Sequence, residues 1–356
     1  MRALTLHAGP RARQRLLDGG LRPQEVRVIP AAAGGPKGLV LNPLDRYLFG
    51  HWMAGSTHDI HLLGASIGAW RMACATLHDA DAALAELAED YITLRYEHAP
   101  GKAPTPTAAS RSFGDKLEQR LGRRAAEVLA SPRYRLHVFT SHGRHLLRRQ
   151  GRIRTPLGYL GAFISNATSR RALGLWLERV VFSDPRSALP FGTNDFRTRR
   201  VELTTENLAP SILASCSIPF WLDAVHDLPG APRGAYWDGG ITDYHLHLDY
   251  ASMTDGLVLY PHFQSNLVPG WLDKPFKRRQ AATPSLDNVL LLSPSAEWVA
   301  TLPLAKLPDR SDFRRFGDDE AARIATWRRA LAESQRLADD FADWVGGAGG
   351  FEIRPL

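Results

Sequence analysis

A serine hydroxyl attacks an ester efficiently only when it is presented on a tight turn, beside a base and beside hydrogen-bond donors for the developing oxyanion. Three short segments of this sequence carry residue types suited to those tasks. Gly64-Ala65-Ser66-Ile67-Gly68 fits the G-x-S-x-G pattern, in which serine sits on a sharp strand-to-helix turn and the glycines let strand and helix approach closely. The pattern alone is common, and a structural serine in an ordinary loop is the competing reading. The context favours chemistry, because an apolar strand precedes the motif and a helix rich in small residues follows it. Gly34-Gly35-Pro36-Lys37-Gly38 supplies unhindered backbone N–H groups at a helix N-terminus, where the dipole favours negative charge. Pro36 has no N–H, so the donors must come from Gly34, Gly35 or Lys37. A phosphate-binding loop is the rival, but neither the Walker run nor the dinucleotide glycine spacing fits.

The base must be a histidine or a carboxylate. In the ordinary α/β-hydrolase the serine turn follows several strands, whereas Ser66 follows one or two, which argues against a Ser-Asp-His triad. Trp237-Asp238-Gly239-Gly240 offers a carboxylate that two glycines hold on a tight turn with room for a neighbouring serine loop. By itself such a run is usually a plain turn. Asp243, His245, His247 and Asp249 alternate, so in a strand they would share one face like a metal cluster. A packed or solvated polar face is the preferred reading, and neither metal nor cofactor is expected. His262 is read as structural, although with the nearby pair it keeps a Ser-His alternative open.

Taken together, GGPKG, GASIG, ASCSIP and DGG occur in the order and rough spacing of the patatin-like phospholipases, and the chain resembles that family over roughly residues 25–262. The resemblance implies a three-layer α/β/α fold with a central, mostly parallel sheet. It also implies a serine-aspartate dyad, with Ser66 as nucleophile and Asp238 as its partner. Gly34, Gly35 and Gly38 match the glycine-rich oxyanion loop, Lys37 its basic position, and Ala214 to Pro219 the Ala/Ser-rich block with its proline. Gly64, Gly68, Gly239 and Gly240 support the two turns. Ala33 departs from the family, standing where its first loop glycine is usual. After the DGG run the chain reads ITDYHLHLDY instead of an Asn-x-Pro stretch, which bears on the acyl pocket more than on the dyad. The implied substrate is a fatty-acyl ester of a phospholipid or other glycerolipid. A soluble ester or thioester, or a non-catalytic basic membrane- or nucleic-acid-binding protein, are the alternatives.

The elements that must hold these residues follow from hydrophobic spacing. Val26 to Ile29 reads as a strand, AAAGGPKG as a turn and residues 39–52 as a helix. DIHLL, GASIG and AWRMACATL repeat that strand, turn and helix, which favours a parallel sheet. Further predicted helices span 82–96 and 113–129, and predicted strands lie at RLHVFTSHG, RRVELTT, GLVLYPHF and NVLLL. Ile324, Trp327, Leu331, Leu337, Phe341 and Trp344 predict one core-facing helix that Gly346 and Gly347 stop. The whole of 1–356 is read as one domain, with a core of about 25–262 and a C-terminal helical extension of about 263–356.

The chain has 356 residues, 44% of them hydrophobic and 23% charged, as in ordinary globular proteins. No stretch is long and apolar enough for a signal peptide or a membrane span, so a cytoplasmic protein is expected. Two cysteines, Cys74 and Cys216, are too few for a disulfide framework. Between Glu127 and Glu178 lie nine arginines and no acidic residue, and removing those nine charges from the net +7 leaves the rest at −2. A basic patch of this kind, within 128–177 and mixed with PLGYLGAFI and Trp176, predicts peripheral contact with an anionic membrane at its inner surface. A solvated basic face is the plainer alternative. No nucleic-acid motif accompanies the patch, so nucleic acid is not an expected partner. Oligomeric state is not encoded in any recognisable pattern.

Overall fold

The computed structural model describes residues 1–95 and 104–356. Its strands are β1 (Leu4–Ala8), β2 (Val26–Ala31), β3 (Ile60–Ala65), β4 (Tyr134–Gly143), β5 (Leu177–Ser183), β6 (Thr198–Glu202), β7 (Val225–His226), β8 (Ala235–Trp237), β9 (Leu257–Pro261), β10 (Val289–Pro294) and β11 (Ile353–Pro355). They form one sheet in the order β11-β1-β10-β9-β2-β3-β4-β5-β6, with β8 joining β4 and β7 joining β8. The five central strands, β10 to β4, run parallel, while β1 and β5 turn antiparallel to them. Helices cover both faces, giving a three-layer α/β/α architecture with a mostly parallel sheet. Burial on both faces explains the sequence of the central strands: β3 reads Ile-His-Leu-Leu-Gly-Ala with every residue buried, an apolar run broken only by His61 rather than an alternation.

One detail of the pairing places the site. β3 pairs with the first part of β4 and ends with Ala65 opposite Phe139. On the same side of β4, β8 then takes over, with Trp237 opposite Ser141. The two strands approach each other end to end along β4, so the residues that follow them, Ser66 and Asp238, emerge at the same level.

Several predicted elements differ in detail. The predicted helix over 39–52 is a 3₁₀ segment (Gly35–Leu41), an α-helix (Asn42–Tyr47) and a π turn (Leu48–Trp52). Pro43 cannot donate a helical hydrogen bond, so the α-helix starts anew around it. The predicted 82–96 helix runs Ala80–Ile92, and Tyr96 lies outside the described residues. The 113–129 helix divides into Pro106–Leu121 and Ala125–Ala130, joined by one 3₁₀ turn at Gly122–Arg124. The C-terminal stripe is two helices, Glu320–Glu333 and Gln335–Val345. Six residues separate Leu331 from Leu337, about 240° at 100° per residue, and the break at Ser334 restores the phase. Residues 263–356 also supply strands β10 and β11, so this extension is part of the sheet as well as a helical cover.

Candidate active site

Ser66 occupies the corner between β3 and the helix Ile67–Ala75 with φ 57° and ψ −131°. Positive φ is costly for a residue with a Cβ, on the order of 1–3 kcal/mol, and persists where the surroundings fix it. Those surroundings are glycines. A Cβ on Gly64 would lie 2.3 Å from Ala69 Cα, and one on Gly68 would lie 2.0 Å from the Ala31 carbonyl oxygen. The strand and helix therefore meet backbone to backbone, which turns the serine side chain toward the end of the sheet. The Ser66 N–H donates to Ser215 Oγ at 2.8 Å, and Ser215 Oγ donates to the Phe139 carbonyl at 2.6 Å. Ser215 belongs to the Ala214–Pro219 block, so this block braces the corner.

The Ser66 hydroxyl donates to Asp238 Oδ2 at 2.7 Å. Asp238 Oδ1 accepts the Gly240 N–H at 2.7 Å, its backbone N–H donates to Ser217, and its carbonyl accepts from Ser141 Oγ. Gly239 must be glycine, because a Cβ there would lie 2.0 Å from the Phe139 carbonyl oxygen. Burial pushes the Asp238 carboxyl up to about 6, against the opposing effects of the Ser66 hydroxyl, Arg310, the Gly240 N–H and Lys274. At neutral pH it is still ionised, and it is a stronger base than an ordinary carboxylate.

The glycine loop closes one side of this corner. A cavity of about 300 Å³ is lined by Gly34, Lys37, Ser66, Pro219 and Asp238, and by Tyr244, Lys274 and Arg310. Gly35 and Gly38 border an adjoining recess with Ile67 and Arg71. The Ala33 N–H donates to Tyr244 O, so the first loop position, where the family pattern has glycine, is already bonded. Arg71 of the serine helix and Asp45 form a buried pair at 2.7 Å. That pair ties the helix following the glycine loop to the serine helix, fixing one against the other. A second cavity of about 340 Å³ also reaches Ser66 and is lined mainly by apolar groups, among them Phe113, Phe220, Trp221, Leu222 and Phe313. Ser66 thus borders two cavities, one carrying Lys37 and Lys274 and the other mainly apolar, with Arg310 lining both.

The histidines go elsewhere. His262 is fully buried, its Nδ1 engaged with Gln264, its ring packed against His245, Tyr260 and Phe263. Residues 243–249 are not a strand: a helical turn (Gly240–Asp243) leads into turns, which scatter the alternating side chains. Asp243 pairs with the buried Arg179, His245 accepts the Val268 N–H, and His247 meets Thr283. Among the described residues no group of three or more His, Cys, Asp or Glu is arranged to hold a metal. Tyr244, Lys274 and Arg310 were not singled out in the sequence; a lone Lys or Arg in a loop carries no local signal of its destination.

The basic segment divides as well. Arg133, Arg135, Arg144 and Arg170 bond to backbone carbonyls or to Asp59, Asp243 and Asp273, and are structural. Arg148, Arg149, Arg152, Arg154 and Arg171 are exposed. The helix Arg154–Thr168 buries Thr155, Gly158, Tyr159, Ala162 and Asn166 and turns Leu157, Leu160, Phe163 and Ile164 to solvent. Trp176, expected at a lipid surface, is half-buried: its Nε1 donates to Ser165 Oγ, and its ring occupies the space over Gly161. Among the described residues no helix is long and apolar enough to cross a membrane.

A search of curated proteins finds no match. A family model described as patatin-like phospholipase matches residues 61–246, just over half of the chain, and includes both Ser66 and Asp238. The chain belongs to the patatin-like phospholipase family, whose members are acyl hydrolases acting on lipids.

Proposed function

We propose that this protein hydrolyses fatty-acyl esters of glycerolipids, as a phospholipase A or lysophospholipase, with Ser66 as nucleophile and Asp238 as its base. The observation that carries the reading is the 2.7 Å hydrogen bond from the Ser66 hydroxyl to a buried carboxylate, at the mouth of an apolar cavity. Asp238 takes the hydroxyl proton as Ser66 Oγ attacks the ester carbonyl. Backbone N–H groups of the Gly34–Gly38 loop stabilise the tetrahedral oxyanion, with Gly34, Gly35, Lys37 and Gly38 as donors. The C–O bond to the alcohol then breaks and the proton passes to the leaving oxygen. Water, deprotonated by Asp238, attacks the acyl-serine and releases the fatty acid. The acyl chain occupies the cavity lined by Phe113, Phe220 and Trp221. A carboxylate is a weaker base than imidazole, so much of the rate must come from the oxyanion loop. The whole chain is read as one domain, because β1, β10 and β11 extend the sheet that carries the site.

The test is a fluorophosphonate probe together with a panel of phospholipids, lysophospholipids, short soluble esters and acyl thioesters, applied to wild type and Ser66→Ala. Labelling and lipid cleavage should both vanish in the alanine protein. Turnover surviving in Ser66→Ala refutes the nucleophile, and cleavage confined to the soluble esters or thioesters refutes the lipid assignment.

The same reading includes peripheral docking on anionic lipid through residues 128–177. Leu157, Leu160 and Ile164 are each more than half exposed, and five exposed arginines lie around them. Tyr159 of this helix contacts Phe220, ring centroids 5.9 Å apart, and Phe220 lines the apolar cavity. The buried face of this helix therefore packs on the wall of the cavity proposed for the acyl chain, while Leu157, Leu160 and Ile164 point away from it. Leucine and isoleucine entering the headgroup boundary, with arginine on lipid phosphate, is the interfacial mode such a face fits.

A further inference from the structure

The chamber that holds Gly34 and Asp238 beside Ser66 is lined by three cations, Lys37, Lys274 and Arg310, the last standing at the boundary with the apolar cavity, and their surroundings leave them short of counter-charge. Among the described residues no carboxylate forms an ion pair with any of the three; the cation of Lys274 lies 4.1 Å from the Tyr244 ring centroid, and that of Lys37 lies 5.5 Å from the Phe263 ring. Two acids share the chamber. Asp238 is engaged by Ser66 and Gly240, and Asp309 is paired with Lys306 at 3.0 Å and accepts from Ser311. Burial lowers the Lys37 amine from its ordinary value. Burial, then repulsion from Lys37 and Arg310, brings Lys274 down to about 8. Three like charges around one concavity repel each other, and only Asp238 and the already paired Asp309 offset them there.

The fold nevertheless fixes it with care. Lys274 follows the turn Trp271–Asp273, where the fully buried Asp273 accepts from Asn166, Arg170 and Arg279. Arg310 sits between Asp309 and the buried Asp312, which accepts the Asp309 N–H and the Trp327 indole N–H. In both places the aspartate is tied down and the neighbouring cation is left to face the chamber. Both cations lie beyond the residues 61–246 that match the family model.

We infer that this chamber binds a phosphate carried on the alcohol side of the ester, so that Lys274 and Arg310 select substrates whose leaving group is anionic. The inference rests on the hydrolase reading. The acyl chain lies on the apolar side of Ser66, the carbonyl at Ser66 and the phosphate among the cations. Arginine supplies a planar fork for two phosphate oxygens and each lysine a point charge. The phosphate has two sources, a lipid headgroup or a small soluble phosphate ester.

The experiment compares butanoyl glycerol with butanoyl glycerol phosphate, both dissolved as monomers, so that no lipid surface intervenes. Wild type should prefer the phosphate ester by at least about 10-fold in kcat/KM, a difference that conversion at 1.4 kcal/mol per decade makes modest for such contacts. Lys274→Gln and Arg310→Gln should each reduce that preference several-fold, mainly through KM for the phosphate ester. In the unmodified protein, inorganic phosphate at millimolar concentration should slow fluorophosphonate labelling of Ser66 and raise the melting temperature. Equal rates on the two butanoyl esters, with no effect of phosphate, overturn the anion site and leave the hydrolase reading standing. Absence of hydrolysis and labelling, with phosphate still raising the melting temperature of wild type but not of Arg310→Gln, upholds the anion site and removes the hydrolase reading. Lysophosphatidic acid cleaved faster than its butanoyl analogue assigns the phosphate to a lipid; the reverse order assigns it to a soluble ester.

Discussion

The corner at Ser66 and the helix Arg154–Thr168 treat their side chains in opposite ways. At the corner, side chains are absent where backbones must touch, and the polar groups of Ser66, Asp238, Ser215 and Ser141 are all bonded. On the helix, leucine and isoleucine face water, and among the described residues Arg148, Arg149, Arg152, Arg154 and Arg171 form no ion pair. The first region is over-determined by the fold, so little in it can change without loss of structure or chemistry. The second contributes little to the fold through its outward face, which is the face proposed to dock on lipid. Residues that folding does not need can be altered to read function alone, whereas residues at the corner report on both.

The largest effect should follow from Asp238→Asn, which leaves a hydrogen-bonding group of the same size but no base. Ester hydrolysis should fall by at least about 10³-fold, in line with losses of a base from serine hydrolases, while a histidine replacement such as His262→Gln in a folded protein should not match it. Wild-type kcat/KM should decline as pH falls through about 6, where Asp238 takes up a proton; a profile flat to pH 4.5 would contradict the assignment of the base.

Gly68→Ala should be next, since its Cβ would lie 2.0 Å from a carbonyl oxygen. The backbone must separate, with a loss of more than about 3 kcal/mol in urea unfolding. A smaller loss would mean that the corner is less tightly determined than its packing implies.

Stability should move the other way in Asp238→Asn. The folded carboxyl titrates near 6 and the unfolded one near 4, so between those values the folded state holds a proton that the unfolded state has lost. Wild type therefore loses stability as pH rises from 4 to 6, by roughly 2–3 kcal/mol. The asparagine protein escapes this loss and should be more stable than wild type at pH 7.5, with the gain gone by pH 4. Equal unfolding midpoints at both pH values would show that the buried charge is better compensated than its surroundings indicate.

The smallest stability effect should come from Leu157→Gln, Leu160→Gln and Ile164→Gln, each within about 0.5 kcal/mol in unfolding. Sedimentation with anionic vesicles should nevertheless drop several-fold for the triple variant. Arg148, Arg149, Arg152 and Arg154 changed together to Gln should weaken binding most at low salt, where charge attraction is least screened. If the leucine variants unfold easily, the helix face is part of the core and the contrast with the corner fails.

The corner was legible in the sequence because glycine requirements are local: GASIG and WDGG state where backbones approach, whatever the rest of the chain does. The central strands were legible for a related reason, as short apolar runs bounded by turns. The helix Arg154–Thr168 was not, although PLGYLGAFI reads as an interfacial segment; it turns its large apolar residues outward and buries Thr155, Ala162 and Asn166. Lys274 and Arg310 were hidden because their positions depend on segments that return to the site after β9 and β10. ITDYHLHLDY alternated like a strand, yet it followed a glycine pair that starts a helical turn, and Asp243 was drawn inward by Arg179.

The pairing of β2 has a consequence for how the molecule comes into being. One neighbour of β2 is β3, but the other is β9, and Val26 stands opposite Leu257, which has not been synthesised when the serine corner leaves the ribosome. Asp238 follows Ser66 by 172 residues, and Arg310 follows later still. At 5–20 residues per second, translation reaches Asp238 roughly 9–34 s after Ser66. Through that interval the sheet lacks β9 and Ser66 lacks Asp238, so on the proposed function the nascent chain cannot cleave lipid. On the proposed function, activity begins only when distant segments have closed the sheet, a slow step in a topology of such long-range pairings.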